Sequence, residues 1–241
     1  MLICIVTETF WPEVNGVAMS LRRFVEGLCR ARHAVQMVCP SREDRDTAEL
    51  PELVWLETPG LPIPAYPQLR FGMPARGRVR SLWEASRPDV VYVATEGPLG
   101  WSAVSTAERL GIPAVSGFHT NFQSYTRYYR LNWLERPIGA WMAKLHNRTH
   151  CTVVPTAQQA ETVRSMGIRD VEVVGRGVDT VLFDPARSSD AVRADWGVAA
   201  DAPVMLYVGR VADEKNLPLT VDVYDALRQE CPALRFVIVG D

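Results

Sequence analysis

The stretch "MLICIVTETFWPEVNGVA", Met1–Ala18, joins an unbroken apolar run to a long polar turn and then to the start of a helix. No polar residue within Leu2–Val6 marks a wet face, which is how a parallel strand covered on both sides reads. The helix pattern that follows puts Val17, Leu21, Phe24, Val25 and Leu28 on one face. The turn between them lacks the G-x-G-x-x-G of a dinucleotide site and holds one glycine, Gly16. A glycine there leaves backbone N–H groups bare at a helix N-terminus, where the dipole favours an anion. The plainer reading is that Asn15 caps the helix and Gly16 only turns the chain.

The same alternation repeats outward. Further strand-like runs are Ala34–Val38, Leu53–Leu56, Val90–Ala94, Ala114–Phe118, Cys151–Val154, Val171–Val174, Val204–Val208 and Phe236–Val239. Helix patterns lie at Pro98–Leu110, stopped by Gly111, and Ala157–Met166, stopped by Gly167. Strands alternating with helices predict a doubly wound α/β sheet. Residues 40–74 run from charged to proline-rich and read as loop around one strand. A second break spans Gly175 to Pro203, after which the β-α-β pattern restarts. The expected organisation is a first domain over 1–174, a linker over 175–202 and a second domain from 203 to 241. That restart supplies few residues against the ~100–150 of an ordinary domain, and it stops just after a buried strand. The second domain is therefore expected to be truncated in this chain.

Composition narrows the function. The 241 residues are 47% hydrophobic and 22% charged with a net charge of −2, so the chain as a whole is no polyanion binder and no nucleic-acid partner is expected. Cys4, Cys29, Cys39, Cys151 and Cys231 are odd in number and scattered without a C-x-x-C pair. They read as reduced, buried thiols of a cytoplasmic protein. "MLICIV" reads as a first strand and not as a signal peptide, and no apolar run has the length of a membrane span.

Four motifs carry candidate chemistry. In "SGFHTNFQSYTRYYR", His119 stands just past the carboxyl end of a strand, where open α/β sheets bind ligands; a histidine bonded within its own loop is the bland alternative. His33, His146 and His150 hold weaker positions, and the four histidines show no metal-ligand spacing. "DRD" (Asp44–Asp46) reads as a solvated charge run. "RYYRLNWLERPIGAWMAKLHNR" mixes basic and aromatic residues that suit an anionic membrane face. Within it Leu134, Ile138, Trp141, Met142 and Leu145 fit a plain core-facing helix equally well. In "LYVGRVADEKN" (Leu206–Asn216), Arg210 and Lys215 leave the end of a strand, Lys215 being one of two lysines among 26 basic residues. Asn216 can cap the next helix and Pro218 fits its first turn. Two cations converging with a helix N-terminus suit a diphosphate; surface pairing with Asp213 or Glu214 would be the structural alternative.

Together "ETFWPEVNGVA", "ATEGPLG", "FHTNFQSY", "VVGRGVDTVLFDP" and "YVGRVADEKNL" resemble the retaining glycosyltransferases of the GT-B fold, in the sucrose-synthase-like and mannosyltransferase-like family. "FHTN" with "GRGVD" looks most like the bacterial branch that moves mannose or a related hexose onto glycolipids. The resemblance implies two Rossmann-like domains, the first for the acceptor and the second for most of a nucleoside diphosphate sugar. It makes Arg210 and Lys215 the diphosphate ligands, Gly16 a further donor contact and His119 the residue beside the transferred sugar. Glu96, Asn121 and Tyr125 are the candidate acceptor contacts. Transfer is expected with retention and without a metal or cofactor, because preorganised cations stabilise the leaving diphosphate. The expected site of action is cytoplasmic, with peripheral contact on the inner face of the membrane. Gly175-Arg176 departs from the commoner Pro-Asn, and the family's paired glutamates fall beyond Asp241, so the chain alone is expected to be inactive. A nucleotide-sugar epimerase of the same architecture and a non-catalytic acceptor- or membrane-binding fragment remain alternatives.

Overall fold

The computed structural model describes residues 1–241 apart from 14, 46, 64–65, 120–134, 213–214 and 241. Asn121, Tyr125 and the first part of the basic-aromatic stretch therefore lie outside the described residues. The described residues up to Arg176 form one compact unit and those from Gly177 a second, so most of the stretch read as a linker groups with the second unit.

In the first unit the strands are β1 (Leu2–Val6), β2 (Ala34–Pro40), β3 (Leu53–Thr58), β4 (Gly60–Ile63), β5 (Tyr66–Gly72), β6 (Val90–Val93), β7 (Ala114–Gly117), β8 (Cys151–Val154) and β9 (Val171–Val173). The helices are α1 (Gly16–Arg30), α2 (Arg76–Ala85), α3 (Pro98–Leu110), α4 (Glu135–His146) and α5 (Ala157–Ser165). Seven strands form one parallel sheet in the order β3-β2-β1-β6-β7-β8-β9. The expected Rossmann-like sheet is thus present.

The apolar run of β1 divides between the two faces. Ile3 and Ile5 pack with Val35, Met37 and Cys39 beneath Leu21 and Val25 of α1. Cys4 and Val6 pack with Val91 and Val93 beneath Val79 and Trp83 of α2 and Leu99, Ala103 and Ala107 of α3. Each such side chain, removed from water, contributes ~1.5–3 kcal/mol, and losing the alternation of a single strand would empty one face. A third cluster joins Phe118, Met142 of α4, Val154 and Ala160 and Val163 of α5. Cys4 and Cys39 are buried as expected, whereas Cys29, Cys151 and Cys231 are only half-buried.

Two elements differ from the sequence expectation. Gly60–Ile63 and Tyr66–Gly72, in the part read as proline-rich loop, form an antiparallel ribbon pairing Leu61 with Phe71 and Pro62 with Arg70. A two-stranded ribbon has an outer edge on both strands, so a proline whose missing N–H faces outward costs no ladder bond. Helix α2 went unread because its buried face amounts to Val79 and Trp83, one turn apart in an otherwise polar segment.

The second unit contains a short 3₁₀ turn (Pro185–Arg187), α6 (Asp190–Asp195), β10 (Val204–Val208), α7 (Leu217–Glu230) and β11 (Arg235–Val239). The two strands pair in parallel. β10 reads as a strand buried on both faces, yet Leu206 is 51% and Val208 69% exposed.

Candidate functional site

In the seven-stranded sheet the chain leaves β1 towards β2 on one side and returns at β6 on the other. The carboxyl ends of β1 and β6 therefore flank the switch point, where an open α/β sheet forms its ligand crevice. The loops after β1 and β6 meet there: the Glu8 N–H donates to Thr95 Oγ1 at 2.9 Å.

The β1–α1 loop is held by its own polar groups. Asn15 Oδ1 accepts from the N–H groups of Val17 (3.1 Å) and Ala18 (2.9 Å), capping α1 as the sequence predicts. Its amide donates to Thr9 Oγ1 (2.7 Å) and Glu13 Oε2 (3.2 Å), and the Thr9 hydroxyl donates to Glu13. Arg42 reaches the other oxygen of Glu13 at 3.1 Å. Burial pushes the Glu13 carboxyl up, opposed by its bonds to Thr9 and Arg42. Gly16 opens α1 with nothing within 4 Å of where a Cβ would stand.

The neighbouring charge run is not simply solvated. Asp44 is exposed but grips Arg42 through two bonds of 2.8 Å. Arg45 is 8% exposed and donates to the carbonyls of Trp11 (2.9 Å) and Pro40 (2.8 Å) and to Glu57 (3.0 Å). Five N–H donors let one guanidinium fasten three segments at once, so this arginine braces the loop from inside. Asp46 lies outside the described residues.

Glu8, passed over in the sequence reading, sits at the end of β1. Its Oε1 accepts the Leu99 N–H at 3.1 Å, in the first turn of α3, and the Gly72 N–H also bonds to it. Burial, with Glu96 adding to it, outweighs these bonds and pushes the carboxyl up to about 7. Gly97 is what admits it: a Cβ there would lie 2.1 Å from Glu8 Oε1.

His119 leaves β7 half-buried beside Tyr92 of β6. Its Nε2 lies 2.7 Å from the Tyr92 hydroxyl oxygen and its Nδ1 3.4 Å from Arg176 Nη2. Burial first, then Arg176 and His146, push the ring down to about 4, so it is neutral at physiological pH. Burial likewise pushes Tyr92 up to about 12. Glu96, expected as an acceptor contact, follows β6. It is 6% exposed, and its Oε1 lies 3.3 Å from Nε2 of His146.

His146, read as weakly placed, is the centre of a buried network. Its Nδ1 meets Ser116 Oγ at 2.8 Å, and that hydroxyl also meets Thr149 Oγ1 at 2.9 Å and Thr152 Oγ1 at 3.3 Å. A serine, a histidine and a glutamate are in line, but Ser116 is fully buried and shared among three partners. The arrangement fastens α4 to the sheet and offers no nucleophile. Trp141 of α4 is 49% exposed and donates to the Glu96 carbonyl at 3.1 Å, while Met142 and Leu145 face the core.

In the second unit Arg210 follows β10 and Lys215 precedes α7, both exposed. The Arg210 carbonyl accepts the Tyr207 hydroxyl at 2.6 Å. Asn216 occupies the cap position of α7 in the left-handed conformation (φ 49°) and makes no side-chain cap bond, contrary to the sequence expectation. Pro218 stands in the first turn as predicted. Among the described residues no helix is long and apolar enough to cross a membrane.

Residues 14–182 match the sequence profile of Glycosyltransferase Family 4. A GDP-mannose-dependent alpha-mannosyltransferase of Corynebacterium glutamicum is 30% identical over 244 residues, covering 100% of this chain and 57% of the relative. An alpha-monoglucosyldiacylglycerol synthase of Acholeplasma laidlawii is 25% identical over 253 residues, covering 100% of this chain and 63% of the relative. The chain thus spans about three-fifths of the length of these relatives. Among solved structures, sucrose-phosphate synthase from Thermosynechococcus elongatus superposes with a TM-score of 0.69 at 15% identity, over 99% of this chain and 70% of that one, which shows a shared fold. With the profile covering well over half of its residues, the chain belongs to glycosyltransferase family 4.

Proposed function

We propose that this protein transfers a hexose, mannose being the first candidate, from a nucleoside diphosphate sugar to a glycolipid or glycan acceptor with retention at the anomeric carbon. The observation that carries the reading is the family match joined to the 30% identity with a GDP-mannose-dependent mannosyltransferase over the whole of this chain. The lipid-linked product named for the Acholeplasma relative supports an acceptor of that class. Arg210 and Lys215 take the diphosphate, and Gly16 offers the helix start of α1 as a further donor contact. As the glycosidic bond to the leaving phosphate breaks, negative charge grows on that diphosphate. Fixed cations stabilise it there, so the reading calls for no metal or cofactor. His119 is neutral and positions sugar hydroxyls; the acceptor proton goes to the leaving phosphate on the same face. Action at the cytoplasmic face of the membrane, with peripheral contact, belongs to the same proposal.

The test is incubation with labelled GDP-mannose, UDP-glucose or ADP-glucose and a diacylglycerol-based glycolipid, with the anomeric configuration of the product read by NMR. Retained configuration and lipid-borne label support the reading. Conversion of the nucleotide sugar without acceptor would select the epimerase instead, and an inverted product would remove the same-face mechanism. Arg210→Ala and Lys215→Ala should each weaken donor binding by roughly 10- to 150-fold, the loss of a charged hydrogen bond.

A further inference from the structure

A guanidinium has only hydrogens to give. Arg176 Nη2 faces His119 Nδ1, so Nδ1 accepts and the single proton of the neutral ring resides on Nε2. Nε2–H then donates to the Tyr92 oxygen at 2.7 Å. The geometry is built for this pair: a Cβ on Gly117 would stand 2.2 Å from the Tyr92 hydroxyl and 2.5 Å from Nε2. Both ring nitrogens are therefore occupied. The two contacts are unequal, however. That to Tyr92 is short and half-buried, whereas that to Arg176 is 3.4 Å long and made by an exposed side chain.

We infer that Tyr92 and Arg176 are positioning residues that act on donor binding through His119, fixing its ring as the Nε2–H tautomer and keeping Nδ1 occupied until a hydroxyl of the donor sugar replaces Arg176. The inference rests on the reading above that His119 meets the transferred sugar. The exchange is donor for donor: an N–H leaves Nδ1, an O–H takes its place, and no proton is transferred. Arg176 thereby sets in advance the acceptor that the sugar hydroxyl needs. The tautomer opposite, with Nδ1–H, would present a donor to a donor. Among the described residues, the charged and titratable groups around the ring are Arg176, Tyr92, His146 and Glu96, the last bonded to His146.

The 241-residue protein labelled with ring-¹⁵N histidine decides the tautomer by NMR, the His119 signals being identified by their loss in His119→Asn. The parent should show a neutral ring protonated on Nε2 down to about pH 5, in line with its low pKa. Arg176→Ala should show both tautomers and a titration midpoint moved up; Arg176→Lys, whose ammonium also only donates, should restore the single tautomer. Tyr92→Phe should likewise release Nε2–H. With GDP-mannose added to the parent, Nδ1 should remain an acceptor. A parent ring carrying its proton on Nδ1, or an Arg176→Ala spectrum indistinguishable from the parent, would overturn the inference. Because Arg176 has left Nδ1 once the sugar is bound, Arg176→Ala should act on binding: by splitting the ring between two tautomers it should weaken GDP-mannose binding about twofold to tenfold. Binding equal to the parent's would refute the preorganising role. GDP-mannose that binds but leaves Arg176 on Nδ1, with the His119 signals unmoved, would refute the substrate half of the inference and leave the transferase reading standing.

Discussion

Replacing Glu8 by glutamine isolates one buried carboxyl and gives the site a measurable electrostatic signature. Burial raises this group from 4.5 to about 7 even though it accepts the Leu99 N–H at the start of α3. A raised pKa in an acid means that the folded state holds the proton more tightly than the unfolded chain does. The stability it contributes is complete below pH 4.5 and is lost as pH rises through about 7. Each tenfold change in acidity is about 1.4 kcal/mol, so the span corresponds to ~3 kcal/mol at most. Glu8 is not wholly out of water, and screening reduces the expected value to ~1–3 kcal/mol.

Glutamine copies the protonated form. Its carbonyl can still accept the Leu99 N–H, while its amide meets the Gly72 N–H less well, a cost of ~1 kcal/mol that does not vary with pH. The informative quantity is therefore the slope and not the offset. Urea unfolding of parent and Glu8→Gln at a series of pH values should show the variant gaining on the parent from about pH 5 to about pH 8, then levelling. A difference that stays flat across that range would mean that the carboxyl is solvated in the folded protein, and the description of this corner would be wrong.

The remaining predictions follow from neighbouring contacts. Gly97→Ala places a Cβ 2.1 Å from Glu8 Oε1 and should cost ~1–3 kcal/mol in urea unfolding; in a Glu8→Ala background most of that cost should vanish, and additive costs would refute the clash. Asn15→Ala removes the cap of α1 and the tie to Thr9 and should cost ~1 kcal/mol, so a midpoint equal to the parent's would count against the cap. His119 titrates in the opposite sense to Glu8, because its folded pKa lies below its unfolded value. Its contribution is present above pH 6.5 and lost as pH falls towards about 4, so His119→Asn should lose less stability than the parent across that acid range, and an equal loss would place the ring in water.

What the sequence revealed and what it concealed divide along one line. Strands covered on both faces announce themselves in their own residues. Leu2–Val6 must be apolar throughout because alternate side chains enter different cores, and the strand appears where it was read. The cap at Asn15 and the stop at Gly111, left-handed at φ 62°, are equally local. Helix α2 and the β4–β5 ribbon were not, since one depends on two side chains joining the core that α3 also lines, and the other is a pairing that its prolines argue against. Arg45 was misread because a charge run gives no hint that three oxygens converge on one of its members. His146 and Arg176 were underrated for the same reason: their partners Ser116 and His119 are distant in sequence.

Register explains why Glu8 in particular escaped notice. β1 pairs with β6 from Ile3 opposite Val90 to Val6 opposite Val93, which brings the residues just after each strand together. Glu8 thereby meets Thr95, 87 positions away, and the first turn of α3 beyond it. Nothing within "TETF" distinguishes this carboxylate from a solvated one; its environment is supplied entirely by the strand order. The same order puts Tyr92 on the strand next to β7 and so beside His119, with Gly117 leaving the space between them. Parallel sheets always align carboxyl ends in this way, so once two strands are known to be neighbours, the residues one to three positions past each end are candidates for mutual contact. Strand adjacency is thus the missing datum, and it converts an unremarkable glutamate and tyrosine into a buried carboxyl bonded to the start of α3 and a hydroxyl bonded to His119.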